Sequence, residues 1–297
     1  MSRILIPSVP RDDRIGSVFN ALFPVIRQTE SATDAVEWDF AQAPFLHPFF
    51  LAPLAIYKDG CGRAVSCTGL QGYMANYFRA IRFEGPFDAS RPGSAGELQP
   101  YAHKSYIPIS RFAVGGRRHD QAQEILQRVI ETKRGFSPSM KMPVFLMIGE
   151  LIDNINEHSG ADCGYLFCQR VRNELYIIIA DRGRTVYGSY VHTGRHLDEV
   201  GCDEAKALQM ANEGFSTKDR PGAETRGYGI SKSRRIVVDG FGGAFFMLSG
   251  AAFFRHTDKA VNAINIPDAF RWKGTVVLIR LPLTLPEDFN IYEYIEK

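Results

Sequence analysis

A motif near the middle of the chain, GELIDNINEHSG (149–160), combines acids, amides and a histidine with apolar residues that suit a protein core. Its Glu150 and Asn154 stand four positions apart, so on a helix they lie one turn apart on the same side, with Glu157 beyond them. A carboxylate there can orient a water molecule, and the amide oxygen can ligate Mg²⁺, which prefers oxygen ligands and keeps several waters. The other face is apolar and predicts burial: Val144, Ile148, Leu151, Ile152 and Ile155.

The second candidate group is an aspartate at the end of a buried strand. LYIIIADRG (175–183) is almost wholly apolar up to Asp181, so we expect a buried strand whose terminal carboxylate needs a partner. Such a carboxylate can accept a hydrogen bond from an exocyclic amine, and Gly183 lets a flat ring approach the backbone. The pair therefore suits recognition of a heterocyclic base.

Two glycine-containing segments further along the chain are suited to phosphate. GFSTK (214–218) offers two hydroxyl groups and an ammonium group, and RGYGIS (226–231) places two glycines directly before a predicted helix. Free N–H groups at a helix N-terminus favour an anion, and the segments add two positive charges. The residues expected to contact a ligand here are Ser216, Thr217, Lys218, Arg226, Gly227, Tyr228 and Gly229.

The elements that must position these groups predict an α/β sandwich in the second half of the chain. The apolar periodicities predict strands at 104–114, 164–171, 175–183, 243–250, 251–257 and 274–282, and helices at 118–135, 137–160, 203–214 and 230–240. Early helices followed by mostly antiparallel strands indicate helices packed on one face of a sheet.

The first hundred residues follow a different pattern. Strand-like and helix-like segments alternate there as a βαβα unit: 36–40, 45–57, 64–69 and 70–85. Residues 86–100 are dense in Pro, Gly and Ser and lack periodicity, which predicts a loop or an interdomain linker with the domain boundary near it. We therefore expect a small α/β domain over residues 1–100 and a second domain over residues 101–297.

Composition excludes several function classes. The charges nearly cancel, 35 Lys and Arg against 33 Asp and Glu, so no bulk field favours nucleic acid or an anionic membrane. No apolar run approaches the roughly 20 residues of a membrane-spanning helix. Five cysteines without a CxxC pair predict reduced thiols. We expect a cytoplasmic protein.

Taken in order, ELxDNxxEHS, DxG, GFSTK, RGxGIS and a closing GTxxxxxLP strand resemble the GHKL (Bergerat-fold) ATP-binding domain shared by gyrase, histidine kinases and the anti-sigma-factor kinases. The resemblance covers residues 104–286 and implies ATP and Mg²⁺ as ligands. It implies that Glu150 is the general base, that Asn154 is the Mg²⁺ ligand, and that Asp181 reads adenine with Gly183 beside it.

The same resemblance implies roles for the remaining candidates. Gly227 and Gly229 would line the phosphates, and Thr275 would lie near the adenine. Residues 216–218 would belong to a mobile lid over the triphosphate, and Glu157 and His158 would border the phosphates. One departure stands out, because the family's DxGxG motif reads DRGRT here, and Thr185 in place of the second glycine predicts a stiffer hinge.

The first domain is similar in pattern to the STAS domain, the fold of anti-sigma-factor antagonists. In that family an acceptor Ser or Thr begins the apolar helix, whereas LHPFFLA (46–52) contains no hydroxyl group. The resemblance therefore implies a docking module that cannot be phosphorylated at that site, with His47 and Pro48 as structural residues.

Three hypotheses about function follow. The first is a Mg²⁺-dependent ATPase that hydrolyses ATP slowly and regulates a protein partner through the first domain. The second is a protein serine/threonine kinase acting on a separate STAS-type antagonist, with Glu150 deprotonating the acceptor hydroxyl. The third is a nucleotide-sensing interaction module without useful turnover. A homodimer is compatible with each of them.

Overall fold

The computed structural model describes residues 1–9, 14–131, 138–217, 228–287 and 289–295 and shows a mixed α/β protein. The chain divides into two compact units: residues 1–87 with 108–110, and residues 88–107 with 111–297. The first break between them falls between Phe87 and Asp88.

The first unit contains a three-stranded parallel sheet in the order β1-β2-β3. Its elements are β1 (Ser2–Leu5), α1 (Ile15–Ser31), β2 (Val36–Asp39), α2 (Pro48–Gly60), β3 (Val65–Thr68) and α3 (Tyr73–Ala80). The indole N–H of Trp38, fully buried, donates to Thr29 Oγ1 at 2.9 Å and ties β2 to α1. The sequence predicts neither β1 nor α1, because β1 buries only one of its four residues and Pro24 interrupts the α1 pattern.

The start of α2 explains two residues of LHPFFLA. His47 is buried, and its Nδ1 accepts a hydrogen bond from the Phe49 N–H at 3.2 Å, which caps the helix. Pro48 occupies the first turn, where its missing N–H costs nothing. The prediction that both residues are structural is confirmed.

The segment 86–100, predicted to be a loop or interdomain linker with the domain boundary near it, contains the break between the two units and also carries short regular elements. This segment forms β4 (Phe87–Asp88) and α4 (Ser94–Leu98), and a 3₁₀ turn (Gln99–His103) follows it. Ser94 is fully buried and its hydroxyl donates to the Ala89 carbonyl at 2.8 Å. These elements are shorter than two helical turns, so they leave no periodicity in the sequence.

An eight-stranded sheet is built in the order β10-β9-β8-β11-β7-β6-β5-β4. The remaining strands are β5 (Tyr106–Ala113), β6 (Cys163–Val171), β7 (Glu174–Asp181), β8 (Ala244–Gly250), β9 (Ala252–Thr257), β10 (Ala260–Asn265) and β11 (Trp272–Pro282). β11 lies between β7 and β8 and is antiparallel to both, and the predicted hairpins β6–β7 and β8–β9 are confirmed. The edge strand β10 is not predicted, because its exposed residues give no alternating pattern.

The helices of the second unit are α5 (Gly116–Glu131), α6 (Pro138–Asn154), α7 (Val186–Thr193), α8 (Leu197–Val200), α9 (Glu204–Glu213), α10 (Tyr228–Arg235) and α11 (Tyr292–Ile295). Both α6 and α10 continue into a π-helical turn, Ile155–Ser159 and Ile236–Gly240 respectively. The predicted apolar face of α6 is confirmed, since all five of its residues are buried. The sequence misses α7 and α8, which are only eight and four residues long; α7 also contains a glycine and several β-branched residues.

Two expectations from composition have structural counterparts. The five cysteines are all free thiols in this structure. Across the described residues, the helices lack either the length or the apolar character that crossing a bilayer requires.

Candidate functional site

α6 carries Glu150 and Asn154 on its polar side. Glu150 is exposed and Asn154 is half-buried, while Leu151 and Ile152 between them are buried. The π-helical turn that begins at Ile155 replaces i→i+4 bonds by i→i+5 bonds, so the 3.6-residue spacing holds only up to Asn154.

The two polar residues that follow in this turn have different surroundings. His158 lines an internal cavity of the second unit, whereas Glu157 is exposed and lies outside the cavity wall. Glu157 Oε2 is 3.8 Å from His158 Nε2. Glu157 thus lies off the cavity wall, as Glu150 does, and its expected place beside the phosphates stays a prediction.

Asp181 is the last residue of β7 and is 3% exposed. Its Oδ1 accepts a hydrogen bond from the Gly183 N–H at 2.8 Å, and its carboxylate also accepts one from the backbone N–H of Thr275. Burial raises the pKa of Asp181 to about 7, and the two backbone hydrogen bonds oppose that rise. A carboxyl group with this pKa changes charge near neutral pH.

Two glycines allow the backbone to close tightly around Asp181. A Cβ at Gly274, which has φ +92°, would lie 2.7 Å from Asp181 Oδ1. A Cβ at Gly183 would lie 2.2 Å from the Ser159 carbonyl oxygen. The π-helical turn after α6 therefore occupies the space beside Gly183 where a ligand ring was expected. Gly183 serves the packing of this loop and does not line the cavity.

The cavity encloses about 90 Å³ of space that the centre of a water molecule can reach. Its apolar wall includes Leu151, Ile155, Ile179, Met247 and Val277. Six of the residues expected at the site line it: Asn154, His158, Asp181, Ser216, Thr217 and Thr275. An apolar slot with a few convergent polar groups is typical of a small-molecule site.

Thr275 belongs to a hydroxyl network that the sequence does not predict. Ser249 Oγ lies 2.9 Å from Thr275 Oγ1 and 3.2 Å from the Gly274 carbonyl oxygen, and it accepts a hydrogen bond from the Val186 N–H at 2.8 Å. Ser249 therefore joins β8, β11 and the start of α7. The sequence places Ser249 at a hairpin turn and gives no indication of this network.

Thr185 explains the departure from DxGxG. Its hydroxyl accepts a hydrogen bond from the Gly188 N–H at 2.9 Å and caps α7. The position that would hold a flexible glycine here begins a helix.

The second glycine of RGYGIS meets the polar side of α6. A Cβ at Gly229 would lie 2.5 Å from Glu150 Oε2 and 3.3 Å from Asn154 Nδ2. The fold therefore brings together two motifs that are distant in sequence. Lys218, Arg226 and Gly227 lie outside the described residues, as does the side chain of Tyr228.

The GFSTK segment is held against the cavity by hydrogen bonds. Thr217 Oγ1 lies 2.9 Å from His158 Nδ1, and the Tyr190 hydroxyl donates to the Phe215 carbonyl oxygen at 2.6 Å. Ser189 Oγ donates to the His158 carbonyl oxygen at 2.9 Å, which joins α7 to the end of α6.

Two cavity-lining side chains carry buried nitrogens for which the described residues offer no acceptor: Nδ2 of Asn154 and Nε of Arg184. Buried polar atoms normally have partners, so these are the atoms that a ligand could satisfy. The sequence predicts Asn154 as a site residue, whereas Arg184 is noticed there only as part of DRGRT. Its signal was a second arginine directly after the strand-end glycine.

No known protein-family model matches this sequence, and no curated protein matches it at a significant level.

Proposed function

We propose that the second unit binds ATP with Mg²⁺ as a GHKL-type domain, hydrolyses it slowly and regulates a protein partner through its bound state. The observation that carries this proposal is Asp181, a buried carboxylate in the wall of an apolar cavity beside Thr275. The order of motifs along the chain, with its resemblance to GHKL domains, adds support.

The chemistry of Asp181 favours a ligand with an amine. A buried carboxylate is poorly solvated, and a donor from the ligand stabilises its ionised form. The exocyclic amine of adenine is such a donor, and the apolar wall suits the faces of its ring. We therefore assign Asp181 and Thr275 to the base.

The residues of α6 fit a Mg²⁺ site. The amide of Asn154 has a buried nitrogen without a partner among the described residues, and which end of an amide faces a ligand is a matter of assignment, so its oxygen can be the ligand. Mg²⁺ needs only one or two protein oxygens when phosphates and waters complete its octahedron. When bound, the ion would neutralise phosphate charge.

Glu150 is the proposed general base. Its exposed carboxylate stands one turn before Asn154 and beside Gly229, so it can take a proton from a water molecule that approaches from solvent. In the proposal, backbone N–H groups at the N-terminus of α10 donate hydrogen bonds to the phosphates.

The test is binding and turnover of γ-labelled ATP with Mg²⁺ by the purified full chain. We expect Glu150→Gln to retain binding and lose phosphate release, because the amide cannot accept a proton. We expect Asp181→Asn to weaken binding about 10- to 100-fold, since its amide NH₂ would face the amine of the base. A wild-type protein that binds no adenine nucleotide would end the proposal.

The exposure of Glu150 also favours the second hypothesis, transfer of phosphate to a hydroxyl that a partner protein brings. Adding cell lysate to the same assay separates the two reactions. Label on a protein band that disappears with Glu150→Gln supports the kinase, whereas label found only in inorganic phosphate supports the ATPase. The docking role of the first unit stays a prediction.

A further inference from the structure

Arg184 is half-buried and lines the same cavity as Asp181. Its Nε is buried and finds no hydrogen-bond acceptor among the described residues. Within the same residues the guanidinium also forms no ion pair. A buried N–H donor without an acceptor is costly, so Nε calls for an acceptor that a ligand supplies.

The position of Arg184 is set by its neighbours. Its backbone N–H donates to the Ser159 carbonyl oxygen at 2.6 Å. The guanidinium rests against Gly160, where a Cβ would lie 2.9 Å from Nη2 and 3.0 Å from Nε. Because Gly183 packs on Ser159 and Thr185 begins α7, the backbone on both sides of Arg184 is held as well. The donor is therefore preorganised.

The surroundings of Arg184 favour the base over the phosphates. The guanidinium contacts the end of the α6 extension at Gly160, whereas Gly229 meets α6 at Glu150 and Asn154. Gly160 follows Asn154 by six positions, which is roughly 7–9 Å along a helical axis. Arg184 also follows Asp181 in the same short loop, and Asp181 is the residue assigned to the base.

We propose that Arg184 determines base specificity, with Nε donating a hydrogen bond to a ring nitrogen of the purine whose amine pairs with Asp181. This inference rests on the proposed function. An adenine edge presents an amine donor beside a ring-nitrogen acceptor, and the cavity offers the complementary pair, a carboxylate and a guanidinium.

The experiment is a thermodynamic cycle with the full chain that combines a protein variant with a ligand analogue. Calorimetry measures the binding of adenosine and of its 1-deaza, 3-deaza and 7-deaza analogues. Each analogue replaces one ring nitrogen by CH. We expect Arg184→Met to weaken adenosine binding about 10-fold. One analogue should bind the wild-type protein about 10-fold more weakly than adenosine does. The same analogue should bind Arg184→Met with the same affinity as adenosine does.

Two variants serve as controls. Arg182→Met removes a neighbouring arginine that does not line the cavity, and it should leave adenosine affinity unchanged. Arg184→Lys keeps the charge but lacks Nε, so it should behave as Arg184→Met does. Thermal unfolding of each variant checks its fold, and a purely structural role for Arg184 would not produce coupling to a single ring nitrogen.

Three outcomes would overturn the inference: no analogue coupled to Arg184, full affinity in Arg184→Lys, or a loss in Arg184→Met that appears with ATP but not with adenosine. The last result would assign Arg184 to phosphate. If the wild-type protein binds neither adenosine nor ATP, the proposed function falls and this inference with it. If it binds both without coupling, only the inference falls.

Discussion

Gly229 of α10 approaches Glu150 of α6 so closely that a methyl group on it would lie 2.5 Å from Glu150 Oε2. The atom in the way is the far end of an exposed, flexible side chain, so the carboxylate can move aside at little cost. This contact joins the proposed general base to the segment proposed for the phosphates.

Gly229→Ala is therefore expected to impair turnover without unfolding the protein. The added methyl displaces the Glu150 carboxylate, so ATP hydrolysis should fall about 10-fold or more, while adenosine affinity stays the same. Steady-state kinetics and calorimetry measure the two quantities, with Glu150→Gln as the reference for complete loss of the base. Unchanged turnover in Gly229→Ala would contradict the role given to this contact.

The affinity for adenosine should depend on pH through Asp181. In the free protein the pKa of this carboxyl is raised to about 7, and an amine donor binds its ionised form. Below pH 7 binding must first remove a proton, so the dissociation constant should rise up to about tenfold per pH unit. Calorimetry with adenosine between pH 5.5 and 8 avoids the titration of phosphate. Tighter binding at acid pH would refute this prediction.

Asp181 should also make the free protein less stable at high pH. Its folded pKa lies above its ordinary value of 3.8, so its stabilising contribution is complete below about pH 4 and is lost as the pH rises through about 7. We expect Asp181→Asn to raise the free energy of unfolding above pH 7 by up to about 4 kcal/mol relative to the wild type.

Chemical denaturation at pH 5 and pH 8 measures this difference. The advantage of Asp181→Asn should be larger at pH 8, because only there is the wild-type carboxylate fully ionised. An advantage that shrinks with rising pH would show that burial does not dominate at this residue.

Removal of the Thr185 cap should destabilise α7. Thr185→Ala leaves the Gly188 N–H without its acceptor and should lower the free energy of unfolding by about 1 kcal/mol. Thr185→Ser keeps the hydroxyl and serves as the matched control. Equal stability of the two variants, measured by chemical denaturation, would rule out the cap as the reason for threonine at this position.

Much of the site's local structure is predictable from sequence because it depends on short-range patterns. Helical periodicity identifies the buried face of α6, and an apolar run ending in Asp181 identifies a buried strand with a carboxylate at its end. The predicted hairpins follow from alternating apolar runs that meet at turns. Short elements escape this reasoning, as the helix α4 within the supposed linker demonstrates.

The relations between motifs could not be read from these patterns. His158 Nδ1 lies beside Thr217 Oγ1, Ser249 joins β8 to β11 and to the start of α7, and Arg184 Nε is left without an acceptor among the described residues. Each depends on which groups meet across the fold, and such contacts join residues far apart in sequence. The candidate residues and most of the elements that carry them can be identified from the amino-acid order, because helices and strands leave local periodicities in it. Tertiary packing alone decided which of them share a cavity, because burial and hydrogen-bond partners are properties of the assembled chain.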